Sequence, residues 1–257
     1  MKPSLSLLAL SLAAIALDSA AQEAAVPAAP RTTDAADAAE AAPVVEVSSV
    51  KNPQLKPYRQ MLKGLDAYAA HRALAPAAPL RFTLVADDSK LSLDNVALRI
   101  AGDNTSIPIP VAKDGSFVLD KIQSAADDNA DIVSNKKKGL LHWHADIHTP
   151  DVPADARRLG DLRLECEISW AVTKDDMSFF IRNGIMLAGG LCHSSHIMLH
   201  YGAPRALAAV TLVSGARREA LTIDKKDRRV FMPPLSDASW NDETLIEYQF
   251  ADAGPAS

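Results

Sequence analysis

Apolar positions change spacing twice along the chain, and each spacing predicts a different element. From Asn52 to Ala75 the residues Leu55, Tyr58, Met61, Leu62, Leu65, Tyr68 and Ala69 recur at intervals of three and four. That spacing lines one face of a helix, with Lys56, Arg59, Gln60, Lys63 and Asp66 on the other. Pro76 and Pro79 end it. A single amphipathic helix must bury its apolar face, so it is predicted to pack on the sheet that follows. After Pro79 the period drops to two. Leu80, Phe82 and Leu84 alternate with Arg81 and Thr83, and Val96, Leu98 and Ile100 alternate with Ala97 and Arg99. Ile107 and Ile109 stand among prolines, which suits an edge strand. Asp114-Gly115 before Ser116-Phe117-Val118-Leu119 is a hairpin signal.

The same spacing predicts strands at 139–148 and 159–173, then at 195–201, 207–213, 220–223, 228–232 and 243–250. Asp175 and Asp176 open a helix predicted over 177–187, which Gly189-Gly190 ends. The fold class expected is mainly β (α+β): an antiparallel β-sandwich with an N-terminal packing helix and one inserted helix. The helical segment occupies 48–78 and the sandwich-like domain 79–257.

Ahead of these elements the pattern is different. An apolar run from Leu5 to Leu17 follows Lys2 and leads to Asp18-Ser19-Ala20-Ala21-Gln22. A positive start, a short apolar core and small residues at Ser19 and Ala21 make residues 1–21 a cleavable signal peptide. The run is too short to span a bilayer, which takes about 20 residues, and no later segment is apolar enough. Residues 22–47 are Ala, Pro and acidic residues with nothing large to bury, and are read as a disordered linker. They carry net −4 of the formal −5, leaving a near-neutral body with no electrostatic case for nucleic acid. The expected location is periplasmic or secreted. In that oxidising setting Cys166 and Cys192, the two cysteines of the chain, are predicted to be bridged.

The stretches Leu80-Arg81-Phe82-Thr83-Leu84, Val96-Ala97-Leu98-Arg99-Ile100 and Asp114-Gly115-Ser116-Phe117 resemble the small carboxypeptidase-regulatory-like, or prealbumin-like, β-sandwich of many exported proteins. The segment Arg157-Arg158-Leu159-Gly160-Asp161-Leu162-Arg163-Leu164-Glu165-Cys166 is similar to exported bacterial proteins to which no activity attaches. The resemblance implies a non-enzymatic accessory or binding module. The helix at 177–187 departs from the plain small sandwich.

Six of the seven histidines fall in two clusters. As a strand, Leu141–His148 puts His142, His144, Asp146 and His148 on one face and Leu141, Trp143, Ala145 and Ile147 on the other. Imidazole and carboxylate on one face can chelate Zn²⁺ or Cu²⁺. As a strand, 195–201 puts His196, Met198 and His200 on one face, a set whose thioether suits copper. The plain alternative for both is an edge strand with a wet polar face. No Gly-x-Ser-x-Gly elbow, phosphate loop, His-Glu-x-x-His or Cys-x-x-Cys occurs. Trp143, Trp170 and Trp240 are read as packing residues rather than a sugar platform.

The function expected is therefore a non-catalytic exported module of the cell envelope, with no cofactor and with a partner such as an envelope protein or a glycan. The alternatives are a periplasmic copper or zinc binder using the two histidine clusters, and a hydrolase whose site forms only on folding.

Overall fold

Thirteen strands and four α-helices follow one another in the computed structural model, which describes residues 51–86 and 92–251. The predicted signal peptide and linker lie outside the described residues. In chain order the elements are β1 (Pro53–Pro57), α1 (Tyr58–Ala70), β2 (Leu80–Ala86), β3 (Leu98–Ala101), β4 (Ser106–Ile109), β5 (Ser116–Phe117), α2 (Gln123–Asp127) and β6 (Asp131–Lys137). They continue as β7 (Leu141–Ile147), β8 (Ala156–Arg158), α3 (Leu159–Thr173), α4 (Phe179–Leu187), β9 (Tyr201–Gly202), β10 (Leu207–Ser214), β11 (Arg217–Ala220), β12 (Val230–Phe231) and β13 (Leu245–Phe250).

The strands pair antiparallel throughout, in sheets ordered β1-β6-β3-β4, β5-β2-β7, β11-β10-β13-β8 and β12-β9. The fold is thus β-sandwich-like α+β, as expected. The register of β2 on β7 sets Phe82 opposite Ala145 and Leu84 opposite Trp143, so the inward alternation of both strands fills one interior. Pro108 sits in β4, an edge strand. Gly115 takes the left-handed φ of +81° that the turn before β5 needs.

Two apolar cores result. The first gathers Tyr58, Met61, Phe82, Phe117 and Ile147 from α1, β2, β5 and β7. The second gathers Leu207, Val210, Phe231, Trp240 and Ile246 from the C-terminal half. Helix α3 belongs to both: Leu164, Ile168 and Val172 face the first, and Leu159, Leu162 and Cys166 the second.

This helix corrects the strand predicted at 159–173. Leu162, Leu164, Cys166 and Ile168 alternate with Arg163, Glu165 and Glu167, a period of two. Wound at 100° per residue, alternate positions fall on opposite sides of a helix. A helix walled by two cores therefore mimics a strand. The strand predicted at 195–201 is also absent. Residues 191–200 form turns and irregular chain, and β9 begins only at Tyr201. Its partner β12 is two residues long, so no ladder exists for a longer strand.

The predicted N-terminal helix begins later than its apolar period, because Pro53–Pro57 pair with β6 instead. It packs on α3 as well as on the sheet. The helix predicted at 177–187 is α4. Its N-cap is Ser178, whose Oγ accepts from the Ile181 N–H, in place of Asp175 or Asp176. No helix among the described residues is long and apolar enough to cross a membrane.

Candidate functional site

Strand β7 alternates as its sequence predicts: Leu141, Ala145 and Ile147 are buried, while His142 and His144 are exposed and Asp146 is half-buried. His148 lies one residue beyond the strand end and stays exposed. Its Nδ1 stands 2.9 Å from Asp146 Oδ1. Burial works to raise the Asp146 carboxyl, but the hydrogen bond from His148 together with the electrostatic pull of His148, Arg157 and His144 outweighs it, so the group is held below its ordinary range.

Below this pair lies the acidic face of α3. Asp161 and Glu165 are one helical turn apart and both are buried. Asp161 accepts hydrogen bonds from the Thr149 N–H at 2.9 Å and the Thr149 hydroxyl at 2.6 Å. Glu165 Oε1 accepts from the Ile147 N–H at 2.8 Å and from Arg157 at 2.6 Å. The same guanidinium donates to the Ile147 carbonyl at 2.8 Å. Arg157 is thus a clamp between the end of β7 and α3. Burial dominates Glu165 and lifts its carboxyl, against the pull of Arg157 and the Ile147 N–H. Burial likewise opposes the charge on Arg157, which Glu165 restores. Two phenols close the network. Burial pushes Tyr248 up to about 12 and raises Tyr201 as well. The Tyr201 hydroxyl donates to the Leu162 carbonyl at 2.8 Å.

This network backs a cleft of about 930 Å³. His144, His148, Arg157 and Tyr248 are among its polar lining, with Asp114 and Thr149, and Val85, Val152 and Pro204 are among its apolar walls. Asp227 and Arg229 pair with each other at its rim, 3.3 Å apart.

The ligand atoms of Asp146, His148 and Glu165 lie within 4.8 Å of one another, and no other group of three or more His, Cys, Asp or Glu side chains does so among the described residues. Of the first histidine cluster the structure therefore brings His148 together with Asp146, but not with His142 or His144. His144 turns its Nδ1 to the Ala145 carbonyl at 2.9 Å. His142 lines a narrow apolar pocket beside Trp143.

The second cluster lies elsewhere. Met198 lines a separate pocket of about 300 Å³ with Cys192 and Met232. His196 is exposed in the turn where its N–H meets Ser194 Oγ at 3.2 Å. His200 is exposed and close enough to Asp224 to add to the lowering of that carboxyl, which the Asp227 and Lys226 N–H groups chiefly cause. Cys166 and Cys192 are bridged, which ties the irregular 191–200 segment to α3. Next to the bridge, His193 Nε2 stands 2.7 Å from Glu167 Oε1, and His71 Nε2 stands 3.8 Å from Oε2.

The alternation at 159–173 predicts a strand, which separates Asp161 from Glu165 along its length, so Glu165 and its partner Arg157 do not stand out in the sequence. A charged residue recurring at i and i+4 inside an apolar stretch was the available signal. An imidazole oriented by a carboxylate is half of a hydrolytic triad. The nucleophile is missing among the described residues: the Thr149 hydroxyl is engaged by Asp161 and Arg158, and no Ser or Cys side chain hydrogen-bonds His148. No protein-family model matches the chain, no curated protein matches it in sequence, and no solved structure matches its fold.

Proposed function

We propose that this protein is a non-catalytic binding module of the cell envelope, exported through its N-terminal signal, whose ligand enters the cleft beside β7. The observation that carries the reading is the cleft itself. It has apolar walls, a few convergent polar groups, and a floor held rigid by Arg157 and Glu165, the usual construction of a small-molecule site. His148 has its orienting carboxylate but, among the described residues, no Ser or Cys hydrogen-bonds it, so the reading rests on the cleft and not on a triad. The bridge between Cys166 and Cys192 favours an oxidising compartment. The resemblance of residues 80–119 to prealbumin-like accessory sandwiches points the same way.

A melting-temperature screen of the purified chain against small organic molecules tests the reading. A true ligand at 100 times its Kd stabilises by about 2.7 kcal/mol, a shift of roughly 5–10 °C for a domain of this size. Ala203 lines the cleft, and Ala203→Trp is expected to abolish the shift, read against that variant's own unliganded melting point. A ligand that stabilises both proteins equally binds elsewhere and sinks the assignment.

A further inference from the structure

Asp146, His148 and Glu165 come from two elements and converge without any partner that accounts for all three. Asp146 belongs to β7, His148 follows it, and Glu165 is on α3. Glu165 shows how such a site is built. Its Oε1 already accepts two hydrogen bonds, from Arg157 and the Ile147 N–H, while its Oε2 accepts none among the described residues. One oxygen is thus fixed by outer partners and the other is left with its lone pairs, the arrangement by which supporting groups orient a metal-ligating carboxylate.

Resting on the binding-module reading, we propose that Asp146, His148 and Glu165 form a divalent-cation site at the floor of the cleft, and that the ion is Zn²⁺. The donors are one imidazole nitrogen and two carboxylate oxygens, with no thiolate or thioether. That set suits Zn²⁺, or Mn²⁺ where zinc is scarce, and does not suit Cu⁺. Donors around one tetrahedral zinc stand about 3.3 Å apart, as bonds of roughly 2.0–2.2 Å require. The three atoms are already within 4.8 Å, and His148 is exposed and free to turn by the small remainder. On binding, the ion takes the place of the hydrogen between His148 Nδ1 and Asp146, and the neutral imidazole keeps its one proton on Nε2. His148 lines the cleft, so the remaining coordination positions open into it, where a ligand's oxygen or nitrogen completes the shell. His142, His144, His196, Met198 and His200 take no part.

The test is calorimetric titration of Zn²⁺ alone into the chelator-stripped full chain, with Mn²⁺ in a parallel run. One saturable sub-micromolar site is expected. Asp146→Asn and His148→Ala are each expected to weaken it by at least about 100-fold, the upper end of what losing one supporting partner costs. Both positions are partly exposed, and circular dichroism is the check that the variants fold. The double His142→Ala, His144→Ala and the double His196→Ala, His200→Ala variants are expected to bind as the parent does. Absence of saturable binding, or binding unchanged by His148→Ala and Asp146→Asn, overturns the site. The two proposals fail separately. An organic ligand lost in Ala203→Trp but kept in His148→Ala, with no zinc bound, removes the ion and leaves the module. Zinc binding that needs Asp146 and His148 stands whether or not an organic ligand is found.

Discussion

Arg157 sits where two costs meet. Its side chain is largely buried, its guanidinium bridges Glu165 and the Ile147 carbonyl, and its Nε finds no partner among the described residues. A buried pair of this kind stabilises little against an apolar replacement of both members, but breaking it strands a charge. Arg157→Met is therefore expected to cost about 3–5 kcal/mol, while Arg157→Met with Glu165→Leu is expected to recover most of that loss. Denaturant unfolding of the two variants checks this; additive losses would mean the side chains do not act as a pair. Tyr248 gives the same site a pH signature. Burial raises its phenol to about 12 in the folded protein, against about 10 in the unfolded chain. A raised folded value means the native state holds the proton more tightly. Its contribution is complete below pH 10 and falls away as the pH climbs from about 10 to 12. Tyr248→Phe is expected to flatten the stability profile over that interval, measured by thermal melts at stepped alkaline pH. An unchanged slope would show that other groups set it.

Helix α3 explains both what could be read from the sequence and what could not. Strand β7 is legible because one face meets a core and the other meets water, so burial and polarity alternate together. The same signal misleads in α3, where apolar side chains serve two cores and the charges between them are buried in pairs. His196, Met198 and His200 were legible as a spacing but not as a place, since the Cys192 bridge and the short β12 deny that segment a ladder. The helix start also carries a constraint that composition hides. A Cβ on Gly160 would stand 2.2 Å from the Leu74 carbonyl oxygen and 2.9 Å from that of Asp242. These are backbone atoms, and the Gly160 N–H already donates to the Asp242 carbonyl at 3.0 Å. Gly160→Ala, which would help an isolated helix by about 1 kcal/mol, is expected to destabilise this one by at least 2–3 kcal/mol through overpacking, on the order of other crowded sites. Chemical denaturation measures it. A stabilised variant would mean that the turn after α1 can retreat.

Across the whole molecule, sharing one helix couples the two cores. Leu164 and Ile168 cannot leave the first core without moving Leu162 and Cys166 in the second, because all four ride on one hydrogen-bonded helix. The bridge from Cys166 to Cys192, 26 residues apart, adds a constraint on the unfolded chain worth about 3.5 kcal/mol in the chain-entropy model. If the cores were independent, reducing it would weaken only the second. If α3 couples them, the loss is felt by both. Trp143 packs on the first core and Trp240 is buried in the second, so variants with the other tryptophans replaced by Phe report on each separately. Their denaturation curves are expected to coincide in the oxidised protein and to move together, by about the same free energy, on reduction. Curves that separate, with the Trp143 midpoint unmoved, would show that the shared helix frays at its centre and that the two halves fold as neighbours rather than as one.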